Sequence, residues 1–168
     1  MMLQHTQQIS NDTTIDDVCD HVINRLNDAS ASLSVLKLHK LLYYIQAWHL
    51  AFYGIVLFVG GFQAWVHGPV SRHIYDRFKD RKSMYSRVTK RDLREGFSVS
   101  KMPAHSLRHI DSILEAYAEF ADFQLEELTH EEAPWIEARG GYEPNERCET
   151  LISETLMKTY YAARVQNK

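Results

Sequence analysis

The sequence lacks a hydrophobic run that could span a membrane, and it has few cysteines. No apolar stretch approaches the ~20 residues that a transmembrane helix needs. The amino end has no basic region followed by an apolar one, so we expect no secretory signal. Its two cysteines, Cys19 and Cys148, form neither a disulfide framework nor a metal-binding spacing. A reducing compartment is the simplest explanation, and we predict a cytoplasmic protein.

The familiar catalytic motifs are also missing. No G-x-S-x-G, Walker, H-E-x-x-H or Rossmann pattern occurs. We therefore predict that the protein is not an enzyme and that it uses no cofactor and no metal. Asp17 and His21 stand four residues apart on a predicted helix and could share a metal ion. A solvated acidic face at a helix start is the simpler interpretation.

One short segment still has the residue types of an acid–base site. His130 beside Glu131 and Glu132 could act as a general base, which leaves an uncharacterised hydrolase as an alternative function. Adjacent residues on a helix do not face each other, however. Thr129 with Glu132 also matches a capping box, and we favour this structural interpretation.

Charge is distributed unevenly along a chain whose net charge is only −3. Residues 72–108 carry 11 Lys/Arg and 4 Asp/Glu, whereas residues 111–154 carry 2 Arg and 13 Asp/Glu. The basic segment leaves a nucleic-acid-binding prophage protein as a second alternative. We expect instead that the two segments face each other or are solvated, because the whole chain is slightly acidic.

The length of 168 residues suits one domain with a substantial core. Residues 1–12 are polar and aperiodic, and we expect a flexible tail there and a single domain over 13–168. A helix is expected from Thr13 or Thr14 to about residue 27. The clearest pattern lies between Ser34, a candidate N-cap, and Gly54, a candidate C-cap. Its apolar residues cover most sides, which predicts a central buried helix in which Trp48 is also buried.

A β-hairpin is expected next. Residues 55–59 and 62–66 are β-rich and flank Gly60-Gly61, as in a hairpin with a two-glycine turn. Gly68-Pro69 should end the second strand, with Pro69 in the first turn of the following helix. Further helices are expected over 103–121, around 125–128 and from Cys148 to about 164. The predicted fold is mainly α: a single-domain bundle of five to six helices with one small inserted hairpin.

Three segments together resemble the Panacea domain family of SocA-like antitoxins. They are residues 36–50 (LKLHKLLYYIQAWHL), residues 62–70 (FQAWVHGPV) and residues 128–135 (LTHEEAPW). The resemblance implies an antitoxin or phage-associated protein that neutralises an adjacently encoded protein toxin by direct binding. Some members are thought to present the toxin to a Clp-type protease. It implies no catalytic residue, and we assign structural roles to these motif residues: Lys40, Tyr44, Gln46, Trp48, His130, Pro134 and Trp135.

We expect the partner to bind the hairpin and the start of the helix after it. A small hairpin has exposed edges, and its tip is apolar where family members usually carry acidic or polar residues. The predicted partner-binding residues are Val56, Phe58, Val59, Phe62, Trp65, Gly68, Pro69 and Val70. The alternative is that the same residues fold onto the central helix and complete the core. A monomer and a homodimer both remain open.

Overall fold

The computed structural model describes residues 12–165, so most of the predicted flexible segment 1–12 lies outside the described residues. Helix α1 (Ile15–Asp28) begins where the sequence predicts, after Thr14. The Thr14 hydroxyl accepts a hydrogen bond from the amide of Asp17, and the Asp17 carboxylate accepts one from the amide of Thr14. This capping box satisfies two amide groups that have no partner inside the helix.

Helix α2 (Val35–Tyr53) is the central helix that the sequence predicts. Ser34 caps its start, and Gly54 ends it in the left-handed conformation at φ 77°. Most of its side chains are buried because helices pack around it on several sides. Trp48 is only partly buried, and its indole N–H donates to the Tyr117 hydroxyl at 2.8 Å. The expectation of a buried Trp48 is thus met in part.

The hairpin exists, but its predicted position is wrong. Strands β1 (Gln63–Trp65) and β2 (Gly68–Val70) are antiparallel, so the turn lies at residues 66–67. Residues 55–59 form no strand, and Gly60-Gly61 lies in an irregular loop. Pro69 is in the middle of β2 rather than in a helix. Helix α3 (Arg72–Phe78) starts only after Ser71, whose hydroxyl accepts from the amide of Ile74.

The second half of the chain contributes four helices, α4 (Ala104–Tyr117), α5 (Asp122–His130), α6 (Ala133–Arg139) and α7 (Glu154–Val165). The predicted capping box of Thr129 and Glu132 is wrong. Thr129 lies within the last turn of α5 and its hydroxyl donates to the Glu126 carbonyl, while Glu132 precedes α6 without a side-chain cap. Cys148 lies outside the final helix, which begins at Glu154.

One hydrophobic core joins these elements, and α2 packs most extensively against α7. Between residues 12 and 165 there are seven α-helices and one two-stranded sheet, so the predicted mainly α fold with a small hairpin is confirmed. In that part of the chain no helix combines the length and the hydropathy needed to cross a bilayer.

Candidate partner-binding surface

The residues predicted to bind a partner divide into a buried group and an exposed group. The buried group contains Phe58, Phe62, Gly68, Pro69 and Val70. Val59 is 83% exposed, and Val56 and Trp65 are half-buried. Most of the predicted residues therefore support the surface from beneath, and Val59 and Trp65 are those best placed to contact another molecule.

The apolar loop before β1 is fixed to α2 by one buried glutamine. The side-chain oxygen of Gln46 accepts from the amide of Leu57 at 2.8 Å, and its nitrogen donates to the carbonyl of Phe58 at 2.7 Å. The rings of Phe58 and Phe62 are buried, and Phe62 packs edge-to-face on Tyr43. The apolar composition of this loop is thus largely explained by the core, as the alternative interpretation of the sequence held.

Neither edge of the hairpin is free to pair with another chain. On the β1 side, the amide of Ala64 donates to the Thr150 carbonyl at 2.9 Å, and the amide of Ile152 donates to the Phe62 carbonyl at 2.8 Å. On the β2 side, α2 covers the strand: the Lys40 ammonium donates to the Pro69 carbonyl at 3.3 Å. The expectation of exposed strand edges is therefore wrong, and the accessible part of the hairpin is its outer face.

Lys40 and Gly68 pack so closely that Gly68 has no room for a side chain. A Cβ atom on Gly68 would lie 2.4 Å from Lys40 Cε and 3.0 Å from the Thr129 hydroxyl oxygen. Gly68 also has φ +112°, a conformation that residues with a Cβ rarely adopt. Burial lowers the pKa of Lys40 to about 7, although the carboxylates of Glu126 and Asp122 oppose this shift.

The third family-like segment also holds the hairpin. The indole N–H of Trp135 donates to the Trp65 carbonyl at 2.9 Å, and the His130 ring stacks on Trp135 with centroids 4.0 Å apart. Arg139 donates to the Ala64 carbonyl at 3.0 Å. The same guanidinium donates to the carbonyls of Glu143, Pro144 and Glu146. It therefore ties the hairpin to the loop after α6.

The candidate acid–base pair is not assembled with Glu132. The Glu132 carboxylate accepts hydrogen bonds from the hydroxyls of Tyr44 at 2.7 Å and Tyr161 at 2.8 Å. Burial raises the pKa of Glu132 and these two hydroxyls oppose the shift, while burial lowers the pKa of His130. His130 Nε2 is buried and makes no hydrogen bond within residues 12–165. The carboxylate thus joins α2 to α7 rather than orienting the imidazole.

The outer face of the hairpin contains two cavities. One has a volume of about 580 Å³, and its lining includes Val59, Gly61, Gln63, His73 and Leu151. The other has a volume of about 440 Å³, and its lining includes Trp65, Tyr75, Met84, Tyr85 and Arg147. Exposed apolar side chains stand at both, because Leu151 is 62% exposed and Tyr85 is 69% exposed. Clustered apolar exposure of this kind is typical of protein-interaction sites.

An ion cluster links the two cavities. Arg72 lines the larger cavity and Arg147 lines the smaller one. The Glu149 carboxylate accepts from Arg72 at 3.3 Å and from Arg147 at 2.8 Å. The surface formed by the two cavities and these three residues is called the hairpin face below.

The basic segment is neutralised by α1 and by its own Asp76 and Asp92, and little by the acidic segment. Arg77 contacts Asp20 at 2.6 Å, and Arg94 contacts both Asp17 at 2.8 Å and Asp20 at 2.6 Å. The expectation that the two charged segments face each other thus holds for few contacts, such as Arg72 with Glu149. Because α1 uses its aspartates in this way, the basic segment presents less uncompensated charge to a nucleic acid.

The residues considered as metal ligands take separate partners. Asp17 binds Arg94, whereas His21 Nε2 lies 2.8 Å from the Asp111 carboxylate. Over residues 12–165, no group of three or more His, Cys, Asp or Glu side chains has a metal-binding arrangement. The acidic face of α1 therefore acts in ion pairs.

Comparison with known proteins identifies one domain family. A family model described as antitoxin SocA-like, Panacea domain, matches residues 38–136. The matched range runs from α2 into α6 and includes the hairpin, Lys40, Thr129 and Trp135. No curated protein and no solved structure matches the chain.

Proposed function

The chain belongs to the SocA-like Panacea family, whose model covers more than half of it, and we propose that it is the antitoxin of a toxin–antitoxin pair. It neutralises a cognate protein toxin by direct binding in the cytoplasm. Residues 13–168 act as a single domain in this proposal, because α1 and α7, which lie outside the matched range, pack into the same core.

The observation that carries the proposal is the convergence of all three family-like segments beneath the hairpin. Lys40 from the first segment contacts Gly68 from the second, and Trp135 from the third binds the Trp65 carbonyl. These contacts stabilise the hairpin and leave its outer face to a partner. Proteins that bind by shape need such a rigid support, because ordering a loop on binding reduces affinity.

The partner contacts the hairpin face, including the start of α3. Val59 and Leu151 supply exposed apolar area at the larger cavity, and Trp65 and Tyr85 supply aromatic area at the smaller one. Aromatic anchors that become buried on binding contribute a large share of interface energy. The hydrolase alternative is less well supported, since Glu132 binds Tyr44 and Tyr161.

The test is co-expression with the adjacent reading frame and measurement of growth. We expect that frame to be toxic alone and harmless beside the wild-type chain. Val59→Asp should lose neutralisation, because it places a carboxylate in the apolar contact area. Its thermal midpoint should stay near wild type, because the side chain is 83% exposed.

The control is Val99→Asp, since Val99 is also an exposed valine but lines neither cavity. This variant should neutralise normally. A harmless neighbouring frame would contradict the proposed function. Full neutralisation by Val59→Asp would move the binding surface elsewhere on the molecule.

Direct neutralisation can be separated from delivery to a Clp-type protease by following the amount of toxin. Stoichiometric binding predicts a purified complex and an unchanged toxin level. Delivery predicts a falling toxin level that is restored in cells lacking the protease. Size-exclusion chromatography with light scattering on the same samples gives the oligomeric state of the free chain and of the complex.

A further inference from the structure

The smaller cavity of the hairpin face has aromatic walls and an apolar floor. Trp65 and Tyr75 form one wall, with ring centroids 5.0 Å apart in an edge-to-face arrangement. Tyr85 and Met84 line the cavity from the loop after α3, and Leu36 and Val70 are buried beneath. Aromatic walls favour an aromatic guest, because edge-to-face and offset contacts add to the energy of apolar burial.

A partly compensated positive charge stands at the rim of this cavity. The Glu149 carboxylate is shared by the guanidinium groups of Arg72 and Arg147. Arg72 also contacts Asp76, which pairs with Lys79, so the linked groups have three positive and two negative charges. The Arg147 side chain is 83% exposed, and Glu149 is its hydrogen-bond partner within residues 12–165. A guanidinium has five N–H donors in a planar fork that fits a carboxylate in a bidentate way. Arg147 can therefore bind a second carboxylate.

Two other side chains near this cavity already have partners within residues 12–165. His67, which lines it, lies 2.7 Å from the Glu126 carboxylate. Asp76 is held by Arg72 and Lys79. A polyanion that follows the surface would meet the carboxylates of Glu126, Asp76 and Glu149, whereas a single acidic residue can approach the exposed side of the Arg147 guanidinium. The charge pattern therefore favours a protein segment over a single-stranded nucleic acid.

We propose that the smaller cavity receives an aromatic side chain of the partner protein and that Arg147 binds the carboxylate of an acidic residue next to it. This inference rests on the proposed function, because it gives the chemistry of the toxin segment that the hairpin face recognises. The aromatic side chain supplies the buried area, and the charge-assisted hydrogen bonds fix its orientation.

The probe is a fluorescein-labelled peptide of nine residues with a central tryptophan and two aspartates on each side. Two matched peptides replace the tryptophan by alanine or the four aspartates by lysines. The first peptide is called the aspartate peptide, and the one with four lysines is called the lysine peptide. Fluorescence anisotropy with the full chain should show binding of the aspartate peptide. Each matched peptide should bind about tenfold more weakly or worse, since one removes the anchor and the other reverses the charge.

Variants of the chain locate the binding. Arg147→Glu should weaken the aspartate peptide about tenfold and strengthen the lysine peptide, and this exchange of preference identifies the ion pair. Tyr85→Ala should weaken the aspartate peptide about fivefold by removing a cavity wall. Arg108→Glu and Phe123→Ala are the controls, because both side chains are exposed outside the cavity, and both variants should bind as wild type.

Several results would overturn the inference. In the first, the aspartate peptide does not bind at ~1 mM, and in the second, the lysine peptide binds as tightly as the aspartate peptide. The third such result is that Arg147→Glu binds the aspartate peptide with wild-type affinity. Tighter binding of oligothymidylate than of the peptide, lost in the same variants, would assign the cavity to nucleic acid instead.

The growth assay separates this inference from the proposed function. If Val59→Asp loses neutralisation while Arg147→Glu and Tyr85→Ala retain it, the antitoxin role stands and the recognition inference falls. If the chain does not neutralise the toxin and still binds the aspartate peptide through Arg147, the recognition inference is supported and the antitoxin role is contradicted.

Discussion

The inner and outer sides of the hairpin are held in different ways. On the inner side, side chains of the helices donate to the strand backbone: Lys40 to the Pro69 carbonyl, Trp135 to the Trp65 carbonyl and Arg139 to the Ala64 carbonyl. On the outer side, Trp65, Tyr85 and Val59 expose apolar area that no element within residues 12–165 covers. A substitution on the inner side should therefore change stability, and one on the outer side should change binding.

The largest effect on stability is expected at Gly68, on the inner side of the hairpin. Gly68→Ala should lower the free energy of unfolding by about 3 kcal/mol or more, because its Cβ would meet Lys40 Cε at 2.4 Å and its φ of +112° is strained for alanine. Urea denaturation measures the change. Gly60→Ala is the control, since Gly60 has φ +133° but no atom of residues 12–165 lies within 4 Å of its Cβ position.

The control should lose only about 1–2 kcal/mol, the cost of backbone strain alone. The double variant Lys40→Ala with Gly68→Ala should lose less free energy of unfolding than the two single variants lose together. The reason is that the double variant removes the Lys40 atom that clashes. Equal losses in Gly68→Ala and Gly60→Ala would show that the inner side is looser than the distances indicate.

A second effect is a rise of stability with pH caused by Lys40. Its pKa is about 7 in the folded protein against an ordinary value of 10.5. Between these values the unfolded chain binds more protons, so the free energy of unfolding should increase as the pH rises. The wild type should gain about 2 kcal/mol from pH 7 to pH 9 relative to Lys40→Met. Parallel pH profiles of the two proteins would show that Lys40 is charged in the fold.

A smaller loss is expected at Trp135. Trp135→Phe keeps an aromatic ring against His130 but removes the indole N–H that binds the Trp65 carbonyl. The free energy of unfolding should fall by about 1–2 kcal/mol, because the carbonyl loses its donor. Thermal and urea denaturation should agree on this value. An unchanged stability would mean that water replaces the indole.

The smallest effect on stability is expected at Tyr85 on the outer side. Tyr85→Ala should change the free energy of unfolding by no more than about 0.5 kcal/mol, because the side chain is 69% exposed. The same denaturation experiment checks this value. A loss comparable to that of Trp135→Phe would remove the distinction between the two sides.

Local signals in the sequence predict the helices well and the hairpin poorly. Ser34 and Gly54 mark the ends of α2 because capping depends on neighbouring residues. Gly60-Gly61 has the composition of a hairpin turn, but the actual turn at residues 66–67 contains no glycine. The register of β1 is set by distant groups, the backbone of residues 150–152 and the Arg139 side chain. No local pattern contains that information.

At the candidate site, too, local sequence signals predict some features and miss others. Apolar composition directs attention to the hairpin, yet it does not distinguish Phe58, which is buried, from Val59, which is exposed. Tyr75, Tyr85 and Arg147 were not among the predicted partner-binding residues. They come from three separate parts of the chain, and only the fold brings them to one cavity. The position of a tyrosine in a basic, irregular segment was the one sequence signal that could have suggested Tyr85.

The hairpin region is held through its own peptide groups, which bind the side chains of Gln46, Lys40, Trp135 and Arg139. A peptide carbonyl is present whatever side chain its residue carries. Mutations that alter the outward side chains of residues 59–65 therefore leave these attachment points chemically unchanged. Single substitutions can thus change the chemistry of the outer surface while the contacts that hold the hairpin are kept.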